Sequence, residues 1–237
     1  MRKILIVNDD GIESDGLLRL VRESVKYGEV WIVAPEGERS AGSHSITLHG
    51  HIDVYERNYP VEGVKAYSCS GTPADCVRVG LLGVMKESPD IVFSGINRGF
   101  NSGTDLQYSG TAGAAFEAVF QGIRAIAFSE GMREHSATDE YLPQLMEEYI
   151  DMRFVPGQIL NINFPECLRE PCKGVKYGCK VSDSMFYRDS YRCIQELDGG
   201  GRRYAVNGSY QEMAAYGTDI RAILDGYVAV GVVKNIR

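Results

Sequence analysis

Lys3-Ile4-Leu5-Ile6-Val7-Asn8-Asp9-Asp10-Gly11 is a short apolar run that stops at two adjacent carboxylates and a glycine. An unbroken aliphatic run of this length reads as a parallel strand buried on both faces. Adjacent anions repel unless a cation lies between them, and ligands collect at the carboxyl ends of strands in an open α/β sheet. A hard divalent ion such as Mg²⁺ or Mn²⁺ suits such oxygen donors. Gly11 lets the chain turn sharply. Asp9 and Asp10 would equally serve as a turn that caps the next helix. The rest of the chain has to decide between the two readings.

Leu17, Leu18, Val21 and Val25 give residues 14–27 the period of a helix with one buried face, closed by Gly28. Val30-Trp31-Ile32-Val33-Ala34 is a second buried strand, and the polar loop 35–45, which contains Ser40, leaves its end. Residues 46–56 alternate weakly and are expected to pair with 64–68. Pro73 opens a helix that is expected to continue to Val84, and Asp90-Ile91-Val92-Phe93-Ser94 is a third buried strand. The loop that follows, Ser94-Gly95-Ile96-Asn97-Arg98-Gly99-Phe100-Asn101-Ser102-Gly103-Thr104-Asp105, is too rich in glycine and amides to be core. It leads into Tyr108-Ser109-Gly110-Thr111, a helix start with small side chains whose backbone N–H groups favour an anion. Ser109, Gly110 and Thr111 are therefore read as a phosphate seat. Further on, residues 125–129 and 158–164 read as strands, with a helix over 138–150 between them. Residues 166–213 lose all helical period and read as irregular β or arm structure, before a helical turn near 219–224 and a last strand near 227–233.

The 237 residues carry 25 Lys+Arg against 32 Asp+Glu, a net charge of −7 with no dense basic run. That argues against a coat for polymeric nucleic acid and leaves a small anionic substrate open. No apolar run has the length of a membrane span and no signal-type segment opens the chain, so a cytoplasmic protein without membrane contact is expected. The pattern predicts a single α/β domain with a Rossmann-like, mostly parallel sheet flanked by helices. Residues 1–165 form the core of this domain, and residues 166–237 a β-rich oligomerisation extension and C-terminal arm. Six cysteines stand at 69, 76, 167, 172, 179 and 193 without a Cys-x-x-Cys. They read as reduced thiols; a zinc site or an oxidised pair within 167–193 fits the spacings less well.

In a parallel sheet the strand ends share one edge. The Asn8-Asp9-Asp10 turn, the Ser40 loop, the Asn97 loop and the Ser109-Gly110-Thr111 helix start can therefore converge. Two carboxylates, a hydroxyl and an amide oxygen make an all-oxygen shell suited to a Mg²⁺-like ion, and this convergence favours a site over a set of turns.

Five blocks carry a resemblance: Asn8-Asp9-Asp10-Gly11-Ile12; Ala34-Pro35 with Arg39-Ser40 and Ser45-Ile46-Thr47; Gly71-Thr72-Pro73-Ala74-Asp75-Cys76; Pro89-Asp90 to Ser94-Gly95-Ile96-Asn97-Arg98-Gly99; and Tyr108-Ser109-Gly110-Thr111. In this order they resemble the SurE (survival protein E) family of metal-dependent nucleotidases over residues 3–129. The resemblance implies hydrolysis of nucleoside 5′- or 3′-monophosphates, with short polyphosphate as a further substrate. It also implies one divalent ion per subunit (Mg²⁺ or Mn²⁺), with Asp9, Asp10, Ser40 and Asn97 as ligands and Asp9 and Asp10 at the centre of catalysis. It implies a homodimer or homotetramer in which C-terminal segments embrace a neighbour. Two departures stand out: Ala112 replaces a common valine, and the closing strand lacks the family's usual Thr-Pro-Leu.

Other acidic-turn chemistries fit less well. An aspartyl-phosphate phosphatase usually has alternating carboxylates followed by Thr, unlike Asp9-Asp10-Gly11. A receiver-type module needs an acceptor Asp after its third strand, where Ser94 and Asn97 stand. His44 is the only histidine within a candidate loop and reads as a packing residue rather than a catalytic one.

Overall fold

The structure is a computed structural model that describes residues 1–153 and 155–235. β1 (Lys3–Val7), β2 (Glu29–Pro35), β5 (Ile91–Arg98), β6 (Ala125–Glu130) and β7 (Gln158–Phe164) are aliphatic runs that pair in parallel. β4 (Lys65–Cys69) extends them beside β2, and β3 (Val54–Arg57) closes that edge antiparallel to β4. On the other side β11 (Val228–Lys234) runs antiparallel to β7 and is itself followed by β8 (Val175–Tyr177), giving the order β3-β4-β2-β1-β5-β6-β7-β11-β8. The strand order reverses between β1 and β5, and in open α/β sheets that crevice is where ligands bind.

Helices cover both faces because the strands are apolar on both. α1 (Asp15–Ser24) and α4 (Ser136–Tyr149) bury Leu17, Leu20, Leu142 and Leu145 against Ile4, Ile6, Phe93 and Phe128 on one side. α2 (Pro73–Val79) and α3 (Gly110–Phe120) bury Cys76, Val77, Ala115 and Phe116 against Leu5, Val7 and Val92 on the other. Ser14, Thr72 and Ser109 are the N-caps of α1, α2 and α3, each accepting a backbone N–H with its side chain.

Three boundaries differ from the sequence reading. Pairing with β4 involves only Val54–Arg57 and not the whole of 46–56, because residues 46–53 run over the surface toward α2. The helix begun at Pro73 leaves α geometry after Val79 and finishes as a π-turn over Gly80–Val84. Residues 175–177 and 228–234, within the stretch expected to be extension, instead join the central sheet.

The remaining extension is a long hairpin, β9 (Tyr187–Leu197) with β10 (Gly201–Tyr210), nearly all of it exposed. Only its root is fastened. Phe186 packs T-shaped on Tyr187 and, at 5.1 Å, on Phe100, and Tyr210 tilts against both Phe186 and Tyr187. α5 (Asp219–Leu224) completes that small core through Ile220 and Ile223.

Candidate active site

β1 delivers Asp9 and Asp10 to the reversal point. Gly11 takes φ +96°, a left-handed turn that glycine adopts without a Cβ penalty. Asn8 fixes the turn from beneath, its Nδ2 donating to Gly11 O and Ser14 Oγ, both at 2.8 Å.

Asp9 is buried, 3% exposed, and its two carboxylate oxygens are taken by one residue of α3. Thr111 Oγ1 donates to Oδ1 at 2.6 Å and Thr111 N to Oδ2 at 3.2 Å. A Cβ on Gly110 would lie 2.9 Å from Asp9 Oδ2, so the small residue at the helix start makes room for the carboxylate. Burial, with help from Asp10, pushes the Asp9 carboxyl up to about 6 despite the Thr111 hydrogen bonds. Asp10 accepts from Arg98 N at 2.9 Å and is also raised, first by burial and then by the fields of Glu38 and Glu130. Among the described residues neither carboxylate is in an ion pair.

Asn97 arrives from β5. Ser94 pairs with Ala127 but Asn97 with Ser129, so β5 spends one extra residue against β6, and this bulge re-aims its end. Asn97 Nδ2 donates to Gly99 O at 2.8 Å, which leaves its amide oxygen available as a ligand atom. Ser40 comes from the loop after β2, whose Arg39 N donates to Asp9 O at 2.7 Å. Ser40 Oγ itself donates to Glu38 at 2.7 Å.

Asp9, Ser40, Asn97 and Ser109 line one cavity of about 990 Å³. Asp10 lies in the adjoining one, and Ser40 and Arg98 border both. All four residues expected to bind metal thus meet at one crevice. Their donor set is all oxygen, two of it carboxylate in no ion pair among the described residues, which fits a hard divalent cation. The phosphate-seat residues divide. Ser109 faces the cavity, although its Oγ also accepts from Ala112 N at 2.9 Å. Thr111 is fully buried with both donors committed to Asp9, so its hydroxyl is not free for a phosphate.

The far wall of the large cavity belongs to the hairpin. Tyr187 and Tyr191 line it, and Asp105 holds the hairpin root in place by accepting from Phe186 N at 2.8 Å and Tyr187 N at 2.9 Å. The Tyr187 hydroxyl accepts from Phe100 N at 3.1 Å. Sequence reading missed this wall, because residues so distant in the chain carry no joint pattern; Arg98 stood in the Asn97 loop but was given no role. His44, read as a packing residue, does pack: its ring stacks on Phe120 at 5.3 Å and its Nε2 lies 2.9 Å from Glu117.

A family model described as Survival protein SurE matches residues 4–188. A protein named 5′-nucleotidase SurE from Clostridium botulinum (strain Loch Maree / Type A3) is 38% identical over 233 residues, covering 96% of this chain and 90% of the relative. Its namesake from Clostridium beijerinckii is likewise 38% identical, with the same coverage. The crystal structure of the Sure protein from Aquifex aeolicus superposes with a TM-score of 0.82 at 30% identity, over 99% of this chain and 94% of that one. With the family model matching most of the chain, relatives 38% identical almost end to end and a family member's structure superposing over nearly all of it, the chain belongs to the SurE family.

Proposed function

We propose that the chain is a divalent-ion-dependent phosphomonoesterase that hydrolyses nucleoside 5′-monophosphates to nucleoside and phosphate. The observation that carries the reading is the Asp9-Asp10 pair at the sheet's reversal point, largely removed from water and in no ion pair among the described residues. The names of the relatives supply the substrate class. In this reading Asp9, Asp10, Ser40 and the Asn97 amide oxygen hold one Mg²⁺ or Mn²⁺ ion. When bound, such an ion offsets the charge of the phosphate ester and makes water a better nucleophile at neutral pH.

The chain's own groups do the rest. Thr111 orients Asp9 so that its oxygens keep one geometry as the charge beside them changes. Ser109 and the backbone at Gly110, at the N-terminus of α3, face the phosphate's oxygens, where the helix dipole favours negative charge. Tyr187 and Tyr191 on the far wall border the space left for the nucleoside. Nucleoside 3′-monophosphates and short polyphosphates belong to the same reading, because phosphate recognition at one end of the cavity does not fix what is esterified to it.

Localisation to the cytoplasm fits the reading. No described helix is long and apolar enough to cross a membrane. The exposed hairpin supports a homodimer or homotetramer, since a lone two-stranded hairpin is marginal in water.

Phosphate release from metal-stripped protein tests the proposal, with a panel of 5′- and 3′-nucleotides and polyphosphate, with and without Mg²⁺ or Mn²⁺. Turnover of 5′-nucleotides only when the ion is returned is the expected result. Full turnover in excess chelator would overturn the metal reading, and no release from any nucleotide the substrate reading. Capture of a covalent phosphoryl-enzyme would point to an aspartyl nucleophile instead.

A further inference from the structure

α3 does more than hold Asp9. Two turns beyond Thr111, Glu117 is 4% exposed and gathers three donors from three directions. Its Oε2 lies 2.9 Å from His44 Nε2, while Oε1 accepts from Arg78 at 3.0 Å and Gln121 at 2.9 Å. Burial alone would raise this carboxyl, but the hydrogen bonds from Gln121, His44 and Arg78 outweigh it and leave the group below its ordinary range, ionised at neutral pH.

His44 belongs to the loop that carries Ser40, and the segment between them is fastened to the turn that leads into the same helix. Ser43 N donates to Tyr108 O at 2.9 Å and Ser43 Oγ to Gln107 O at 2.7 Å. A Cβ on Gly113 would stand 2.7 Å from Ser43 O and 2.9 Å from His44 Cα, so helix and loop touch backbone to backbone. Ala41 and Ser43 hold φ of 55° and 53°, a left-handed conformation that costs energy in residues other than glycine and persists only where surroundings impose it. The side chain of Ser40 is exposed and bonded only to Glu38 two residues away, so its place in the cavity depends on how the loop is held on either side: by Arg39 N on Asp9 O at 2.7 Å before it, and by Ser43 and His44 after it.

We infer that Glu117, acting through His44, is a positioning residue for the metal site: it clamps the loop against α3 in the strained shape that brings Ser40 beside Asp9. One helix would then set the spacing of two ligands, gripping Asp9 with Thr111 at its start and the Ser40 loop with Glu117 further along. The inference rests on the metal reading given above for Ser40.

Calorimetric titration of Mn²⁺ into metal-stripped wild type, His44→Ala, Glu117→Ala and the double variant, without substrate, tests it. Each single variant is expected to weaken Mn²⁺ affinity about 5- to 20-fold. The double variant should be no weaker than the worse single one, because the two act as one contact. His44→Asn, whose amide can still donate toward Glu117, should recover part of the loss. Melting temperatures measured alongside separate folding from positioning. A lowered melting temperature with unchanged Mn²⁺ affinity in both single variants would overturn the inference and leave Glu117 a stabilising ion pair only. Should Glu117→Ala fail to fold, the partly exposed His44→Ala decides by the same criterion. If wild type itself binds no Mn²⁺, the metal reading fails, and the inference with it. If wild type binds Mn²⁺ and the variants match it, only the inference fails.

Discussion

Thr111 satisfies both oxygens of the Asp9 carboxylate, through its hydroxyl at 2.6 Å and its backbone N–H at 3.2 Å. This places a residue that looks like a phosphate contact behind the carboxylate rather than in front of it. Thr111→Val keeps the shape and removes the hydroxyl, leaving a buried charged acceptor short of one donor. The expected cost is about 1–3 kcal/mol of stability, with weaker Mn²⁺ binding. Thr111→Ser should restore both. Thermal melts and calorimetry on the pair check this; lowered phosphate inhibition with unchanged Mn²⁺ affinity would return Thr111 to the substrate side.

The Asp9 carboxyl titrates near 6 when folded without an ion, mainly because it is buried, and near its ordinary value of about 4 when unfolded. Between those values the folded state holds the extra proton, so this group's contribution to stability falls as pH rises through the window. Above it, the charged form costs on the order of 2–3 kcal/mol. Metal-stripped Asp9→Asn should therefore melt higher than metal-stripped wild type at pH 7.5, with the gap closing by about pH 4. Added Mn²⁺ should raise the melting temperature of wild type alone. A gap independent of pH would contradict the burial argument.

The cysteines differ in access. Cys69 and Cys76 are wholly buried, Cys179 sits in the small core under the hairpin, Cys167 and Cys172 are half-buried, and Cys193 on β9 is exposed. All six are free thiols. Maleimide should label Cys193 first, with Cys69 and Cys76 reacting only on unfolding. Replacing Cys167, Cys172 and Cys193 together should leave activity largely intact, whereas adding Cys179→Ser should lower the melting temperature. Stoichiometric zinc in the purified protein, lost with these substitutions, would show the thiols to be ligands.

Tyr191, Ile194, Tyr204 and Val206 are each more than half exposed on a hairpin that only its root holds. Tyr204→Asp with Val206→Asp should reduce the mass seen by light scattering at micromolar protein while leaving the monomer's helix signal unchanged. A wild type that is already monomeric would remove the case for an assembly role.

The core strands were legible because each buried parallel strand is a continuous aliphatic run, and such runs announce themselves without reference to their neighbours. The stretches that carry Asp9, Asp10, Ser40 and Asn97 stood out on the same logic, at or beyond strand ends that topology brings to one edge, while the set of four as ligands came from the family resemblance. The long hairpin was legible only as an absence of helical period, since an arm with two wet faces has no reason to alternate. What the chain order could not convey was which neighbour each polar group meets. The turn of Thr111 toward Asp9 depends on the helix start meeting the β1 turn across a gap that Gly110 keeps open. β11 entering the central sheet beside β7, the hairpin root walling the cavity through Asp105 and Tyr187, and Glu117 reaching His44 across 73 positions are likewise contacts between distant segments. A strand or a helix is written in a period of two or 3.6 residues; such contacts have no period, and only the packed sheet with its helices selects them.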